Sequence, residues 1–276
     1  MIVDGHHHLW DPAVRAYPWL SDDALTPIRR PYTVADLRAA SGGRIAATVL
    51  VQTVPSAAET EEFLATARAS GGLVAGVVGW LDLTRPDIAD EIDRLRSDGP
   101  LVGVRHQAQD EPDPAWLRRP DVTRGIAAVG AGGLAYDILV RAPQRPAALA
   151  TAQRVDGVRF VVDHAGKPGI AAGEWEPWAS WVTAMARCPG VVCKLSGLVT
   201  EAAGDWDATR IRPYAEHVLS AFGADRVLFG SDWPVCELTG RYADVLALTD
   251  ELLVGCTESE RAAVLSDTAR AVYALP

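Results

Sequence analysis

Two histidines spaced one residue apart, His6 and His8 in Asp4-Gly5-His6-His7-His8-Leu9-Trp10, are the strongest chemical signal in this sequence. Side chains alternate along a strand, so His6 and His8 project to one side and His7 to the other. Neutral imidazoles at that spacing suit zinc or a similar divalent ion. A tag remnant explains the run poorly, because it is only three residues long and lies between a strand-like start and Trp10. A second signal is Phe160-Val161-Val162-Asp163-His164-Ala165-Gly166-Lys167-Pro168. There an apolar strand runs directly into His164; the plainer alternative is a core histidine bonded to Asp163. Lys167 reads either as a substrate cation or as a solvated loop charge.

The third signal, Val227-Leu228-Phe229-Gly230-Ser231-Asp232-Trp233-Pro234, ends a strand on a carboxylate able to hold a water or a metal and move a proton. Its alternative is a turn aspartate ahead of Trp233-Pro234. Arg105 in Gly103-Val104-Arg105-His106 suits an anion or a hydroxyl, or else an ordinary salt bridge. Gln52, Trp80, Asp82, His106, Tyr136 and Asp137 stand at other candidate strand ends, and Lys194 and Ser196 are weaker candidates. Trp10 and Trp233 flank the expected site as pocket walls. Trp175, Trp178 and Trp181 have helical spacing and read as packing, and His217 reads as structural.

Positioning these groups requires strands whose carboxyl ends meet. Eight short β-branched runs recur, at Ile2–Val3, Ala46–Val54, Leu73–Trp80, Leu101–His106, Leu134–Leu139, Val158–Asp163, Val191–Leu195 and Val227–Gly230. Most are apolar throughout, as expected for parallel strands covered on both faces. Helix-length segments separate them, among them Ala57–Ser70, Arg85–Arg96, Pro120–Gly130, Pro143–Arg154, Trp175–Arg187 and Ile211–Phe222, with Tyr242–Leu253 and Glu258–Tyr273 at the end. Eight alternating units predict a single α/β domain over residues 1–276, a closed (β/α)8 barrel of the TIM type. An open doubly wound sheet is disfavoured because no glycine-rich phosphate loop is present. In a closed barrel the last strand neighbours the first, which sets Asp232 beside His6 and His8.

The 276 residues are 49% hydrophobic and 22% charged, enough apolar material for a large core. A net charge of −10 argues against nucleic acid or an anionic membrane surface as partner. The four cysteines form no C-x-x-C pair and read as reduced thiols. With no secretory leader or spanning segment in view, a cytoplasmic location is expected.

Together these motifs resemble the amidohydrolase superfamily, in particular the amidohydrolase-2 branch with sugar lactonases of the fuconolactonase and rhamnonolactonase type. The resemblance runs from His6-x-His8-x-Trp10-Asp11-Pro12 through Gly79–Leu83, Gly103–His106, Asp163–Pro168 and Lys194–Leu198 to Phe229–Val235. It implies a barrel in which His6, His8, His164 and Asp232 frame one site. Asp232 would deprotonate the hydrolytic water and later protonate the leaving group. The same four residues would hold one divalent ion, zinc by preference. Lactonases of the branch that work without metal imply a second reading, in which His164 and Arg105 polarise the carbonyl. The chain departs from the binuclear members: Arg105-His106 stands in place of their bridging residue, and their extra histidine is missing, so two metals are not expected.

For a sugar lactone, Trp10, Gln52, Tyr136 and Trp233 would supply hydroxyl contacts and an apolar face, with Trp80 and His106 nearby. A muconolactone or pyrone carboxylate would lean instead on Arg105 and Lys167. Metal-dependent decarboxylation of an aromatic acid is the other enzyme class in the branch. The implied partner is a small-molecule lactone, and a homo-oligomer is allowed for.

Overall fold

Valine, isoleucine and alanine recur at alternate strand positions and decide how the sheet curls. A computed structural model describes residues Met1–Pro276. Its strands are β1 (Ile2–His7), β2 (Ile45–Val51), β3 (Val74–Gly79), β4 (Leu101–His106), β5 (Ala135–Ile138), β6 (Arg159–Val162), β7 (Val191–Leu195) and β8 (Val227–Phe229). All pair in parallel and in sequence order. Val3, Val49, Val51, Val78, Ala135, Val161, Val192 and Leu228, from seven strands, touch in one cluster. Residues so dispersed along a sheet meet only if it closes into a cylinder. The alternate positions pack outward against helices in a larger cluster. The expected (β/α)8 barrel is therefore the fold.

The helices are α1 (Val34–Ser41), α2 (Ala57–Ala69), α3 (Ile88–Asp98), α4 (Pro120–Ala131), α5 (Arg145–Arg154), α6 (Trp178–Ala186), α7 (Leu198–Ala202), α8 (Ala208–Phe222), α9 (Tyr242–Leu252), α10 (Glu258–Ala262) and α11 (Thr268–Tyr273). Side-chain oxygens of Ser56 and Asp207 accept from the first-turn amides of α2 and α8, and Thr33 with Asp36 forms a capping box on α1. A π-helical stretch at Ala263–Asp267 interrupts the single final helix read from the sequence. Beyond it, Ala269, Val272, Tyr273 and Leu275 join the interior cluster and plug the barrel's amino-terminal mouth. Two elements had no counterpart in the sequence reading. One is the β1–β2 excursion, with 3₁₀ turns at Pro18–Ser21 and Asp23–Ile28 followed by α1; the other is the short α7. No helix is long and apolar enough to cross a membrane.

Candidate active site

The β1 strand carries an irregularity between Asp4 and His7, next to Gly5. A Cβ on Gly5 would lie 2.9 Å from the backbone oxygen of Phe229 and 2.4 Å from Leu228 Cδ1, so glycine lets β8 come this close. The irregularity resets the alternation. Val3 faces the interior and Asp4 the helices, yet His6 and His8 both turn back toward the barrel axis. Asp4 then fastens the closing seam, accepting from Ser231 N (2.9 Å), Ser231 Oγ (2.6 Å) and Tyr242 OH (2.8 Å). Asp232 N donates to His6 O (2.9 Å) and His8 N to Trp233 O (2.7 Å). These bonds hold Asp232 at φ +55°, a left-handed conformation that costs a non-glycine residue about 1–2 kcal/mol.

His164 follows β6 in an equally constrained loop, where His164, Ala165 and Lys167 all have positive φ. Arg145 secures this loop through Gly166 O (3.0 Å), and Trp178 Nε1 donates to Ala165 O (2.7 Å). Trp181 Nε1 donates to Arg145 O (2.7 Å), so Trp178 and Trp181 are packing residues that also support the His164 loop. His164 Nδ1 bonds Ser196 Oγ (2.9 Å), which orients the ring.

Beneath the histidines the interior is charged. Arg105 Nη1 donates to Asp163 Oδ2 (2.9 Å) and Nη2 to Gln52 Oε1 (3.1 Å). Lys194 Nζ lies 2.6 Å from Asp137 Oδ2, 3.0 Å from Asp163 Oδ1 and 3.0 Å from His6 Nδ1. Burial pushes Asp163 upward, but Lys194, His6 and Arg105 outweigh it and hold the carboxyl well below its ordinary value. Asp137 ends above its ordinary value, at about 6, because burial and the nearby Asp163 exceed the pull of Lys194.

Four atoms converge above this layer. Asp232 Oδ1 lies 3.7 Å from His6 Nε2, 3.6 Å from His8 Nε2 and 3.9 Å from His164 Nε2. It is buried and accepts no hydrogen bond from the protein. Burial raises the Asp232 carboxyl, but His164, His8 and Lys167 draw it below its ordinary range, so it is ionised at neutral pH. Burial lowers His8 and takes His164 down to about 4, leaving both imidazoles neutral.

An orphaned carboxylate oxygen among neutral imidazoles suits a divalent cation. His8 Nδ1 is spent on Val51 O (2.7 Å), which directs its Nε2 lone pair to the cluster. His6 Nε2 reaches the same point, 3.0 Å from His8 Nε2, while its Nδ1 faces Lys194 Nζ at 3.0 Å and Asp163 Oδ1 at 3.5 Å. Two donor triads, His6–His8–Asp232 and His6–Asp163–His164, share His6, and the Arg105 guanidinium lies 3.4 Å from His6 Nε2.

A cavity of about 360 Å³ opens over these groups, a size typical of small-molecule sites. Its lining includes four of the residues expected from sequence: His8, Arg105, His164 and Asp232, with Lys167 as a fifth. Lys167 Nζ stands 4.0 Å from Glu201 Oε1. Gln52 lies under Arg105 rather than in the lining.

Several expected substrate contacts fall elsewhere. Tyr136 alternates with the inward Asp137, faces the helices and packs edge-on against Phe160. His106 stacks on Trp116, bonds Glu111 Oε1 (2.7 Å) and accepts from Trp80 Nε1 (3.0 Å), so both aromatics are tied up beside the barrel. Trp10 is 3% exposed and Trp233 1% exposed, and each packs edge-on against Tyr32 behind the mouth. The aromatic that does line the cavity is Trp19, and with it Gln107, Gln109, Arg141, Thr200 and Glu201 escaped the sequence reading. His7 turns outward to Thr48 Oγ1 (3.0 Å), as its parity predicts.

Comparison with known proteins follows the same lines. The chain is 40% identical over 244 residues, 88% of its length and 83% of the relative's, to an L-fucono-1,5-lactonase of Burkholderia ambifaria. It is 36% identical over 289 residues, 99% and 96% respectively, to an L-fucono-1,5-lactonase of Burkholderia multivorans. Crystal structures of an amidohydrolase from Burkholderia multivorans, one with bound zinc, superpose at a TM-score of 0.93 with 36% identity and full coverage of both chains. The amidohydrolase family profile matches residues 3–275. A (β/α)8 barrel with this cluster at its carboxyl mouth, matched over almost its whole length, places the chain in the amidohydrolase family.

Proposed function

We propose that this chain hydrolyses a sugar lactone, opening the ring ester with a water activated by Asp232. The observation that carries the reading is the unpartnered Asp232 Oδ1, ionised and facing three imidazoles below a cavity of small-molecule size. The two L-fucono-1,5-lactonases at 36–40% identity point to the same substrate class.

In this mechanism the lactone carbonyl lies over the cluster. Asp232 takes a proton from water as the water oxygen bonds to the carbonyl carbon. Arg105 faces the developing oxyanion with a guanidinium already fixed in place; without a metal His164 Nε2 would face it too, and with one that nitrogen would be a ligand instead. Collapse breaks the bond to the ring oxygen, and Asp232 returns its proton to that leaving alkoxide. The product is an open-chain hydroxy acid. His6, His8, His164 and Asp232 would hold the metal, zinc by preference, which as a Lewis acid polarises a carbonyl and acidifies water.

The test is acidification by purified protein over a panel of aldono-1,4- and 1,5-lactones and carboxylated lactones. Asp232→Asn should lower kcat by about 10²–10⁴-fold, the usual worth of a positioned general base, with its circular dichroism unchanged. A folded D232N retaining most of its turnover would remove the proton shuttle. Carbon dioxide release from an aromatic acid without lactone turnover would replace hydrolysis by decarboxylation. Chelation should abolish turnover and zinc restore it; full activity after metal is stripped would leave Arg105 and His164 as the sole electrophiles.

A further inference from the structure

The cavity lining holds more than the catalytic groups. Three of its residues carry a polar atom that is buried and bonded to nothing in the protein: Trp19 Nε1, Gln109 Oε1 and Thr200 Oγ1. Leaving such an atom unsatisfied costs about 1–3 kcal/mol, and a site that keeps several beside its cavity is matched to hydroxyl groups a ligand brings. One is a donor, one an acceptor and one either, which is how a polyol presents itself.

Charge points the same way. The lining has four carboxylates (Asp22, Asp110, Glu201 and Asp232) against three cations (Arg105, Arg141 and Lys167). Arg105 is already committed to Asp163 and Gln52. Lys167 shares the wall with Glu201 at 4.0 Å, so one of the two remaining lining cations already has a carboxylate beside it, and Arg141 is the other. A ligand carboxylate entering here would meet the Glu201 carboxylate, and like charges at that range repel.

We infer that Glu201, on the short α7, is a specificity-determining residue that accepts hydroxyl hydrogen bonds from a neutral polyhydroxylated lactone and excludes a carboxylated one. Trp19, Gln109 and Thr200 complete that hydroxyl-reading wall. The assignment rests on the lactonase reading and makes it more specific.

The experiment uses matched pairs with the same ring and stereochemistry, bearing either a hydroxymethyl group or a carboxylate at the exocyclic carbon. Hydrolysis of the lactones and calorimetric binding of the corresponding non-hydrolysable lactams are measured for wild type and Glu201→Gln. Wild type should prefer the neutral member by at least about tenfold in kcat/KM, and E201Q should narrow that ratio about tenfold, by raising KM for the neutral member and lowering it for the carboxylated one. Preference of wild type for the carboxylated member, or an unchanged ratio in E201Q, would overturn the assignment. If no lactone turns over but lactam binding shows the Glu201-dependent preference, the hydrolase reading falls and the specificity role stands. If the neutral lactam fails to bind wild type, the specificity role falls as well.

Discussion

Arg105 shows how one side chain is built for more than charge. Its two terminal nitrogens are directed by Asp163 and Gln52, and the fork is held flat below the cavity. A lysine would keep the positive charge beside Asp163 but lose the fork. Arg105→Lys should therefore fold, bind substrate with KM little changed, and lose kcat by about 10²–10³-fold, the scale of a removed oxyanion donor. A kcat near wild type would mean that Arg105 only neutralises Asp163. His6, His8, His164 and Asp232 were legible in the sequence because each ends or interrupts an apolar run with a polar group. Tyr136 was misplaced for the opposite reason. In a strand apolar on both faces the pattern does not show which side is inward, and the charge on Asp137 decided it.

Among the elements, the turn between β7 and α7 bears most directly on the site. Gly197 has φ +66°, and a Cβ there would stand 2.7 Å from His164 Nδ1. Gly173 has nearly the same φ, +67°, with nothing within 4 Å. Both glycine-to-alanine changes incur the left-handed cost of about 1–2 kcal/mol, but only G197A also displaces His164 from Ser196. Urea midpoints should fall for both variants, while kcat falls for Gly197→Ala alone. Equal kcat in the two would show that the ring does not need this seat. No sequence pattern exposes this relation, because Gly197 and His164 are brought together by strand pairing.

At the scale of the whole molecule, the buried histidines tie stability to pH. Burial and the neighbouring His8 hold His7 down at about 3, and burial holds His164 at about 4. The unfolded chain takes up protons at these positions near pH 6.5, whereas the folded chain does so only well below that. The unfolded state therefore binds more protons between roughly pH 6.5 and 4, and stability falls as pH drops through that window. His6 and His8, also lowered chiefly by burial, act in the same direction. Asp137, raised to about 6, opposes them, since its contribution is lost as pH rises from about 4 toward 6. Asp4, Glu59 and Glu201, raised by burial, act in the same sense as Asp137, and His106, lowered by burial, joins the other histidines. The histidine uptake begins near pH 6.5, above the ordinary carboxyl range, and dominates there. With chelator present, the urea midpoint should fall between roughly pH 7 and pH 5, the unfolding free energy dropping by about 1.4 kcal/mol per pH unit for each histidine not offset. A midpoint that held steady or rose would mean that these imidazoles are not buried neutral.

The residues alone indicate the barrel and the candidate cluster of His6, His8, His164 and Asp232. Periodicity is a local property, and the apolar runs that pass into His6, Arg105, Asp163-His164 and Ser231-Asp232 show which strand ends carry polar groups. Selectivity is different in kind. Trp19 arrives from the β1–β2 excursion, Gln109 from the segment after β4, and Thr200 and Glu201 from α7, none with a repeating pattern. Their meeting depends on loop paths set by long-range packing, such as the Trp178 and Arg145 anchors of the β6 loop. Which strand face turns inward, which tryptophan reaches the cavity and which carboxylate stands beside Lys167 are consequences of closing the barrel, because closure fixes the phase that an apolar strand leaves open.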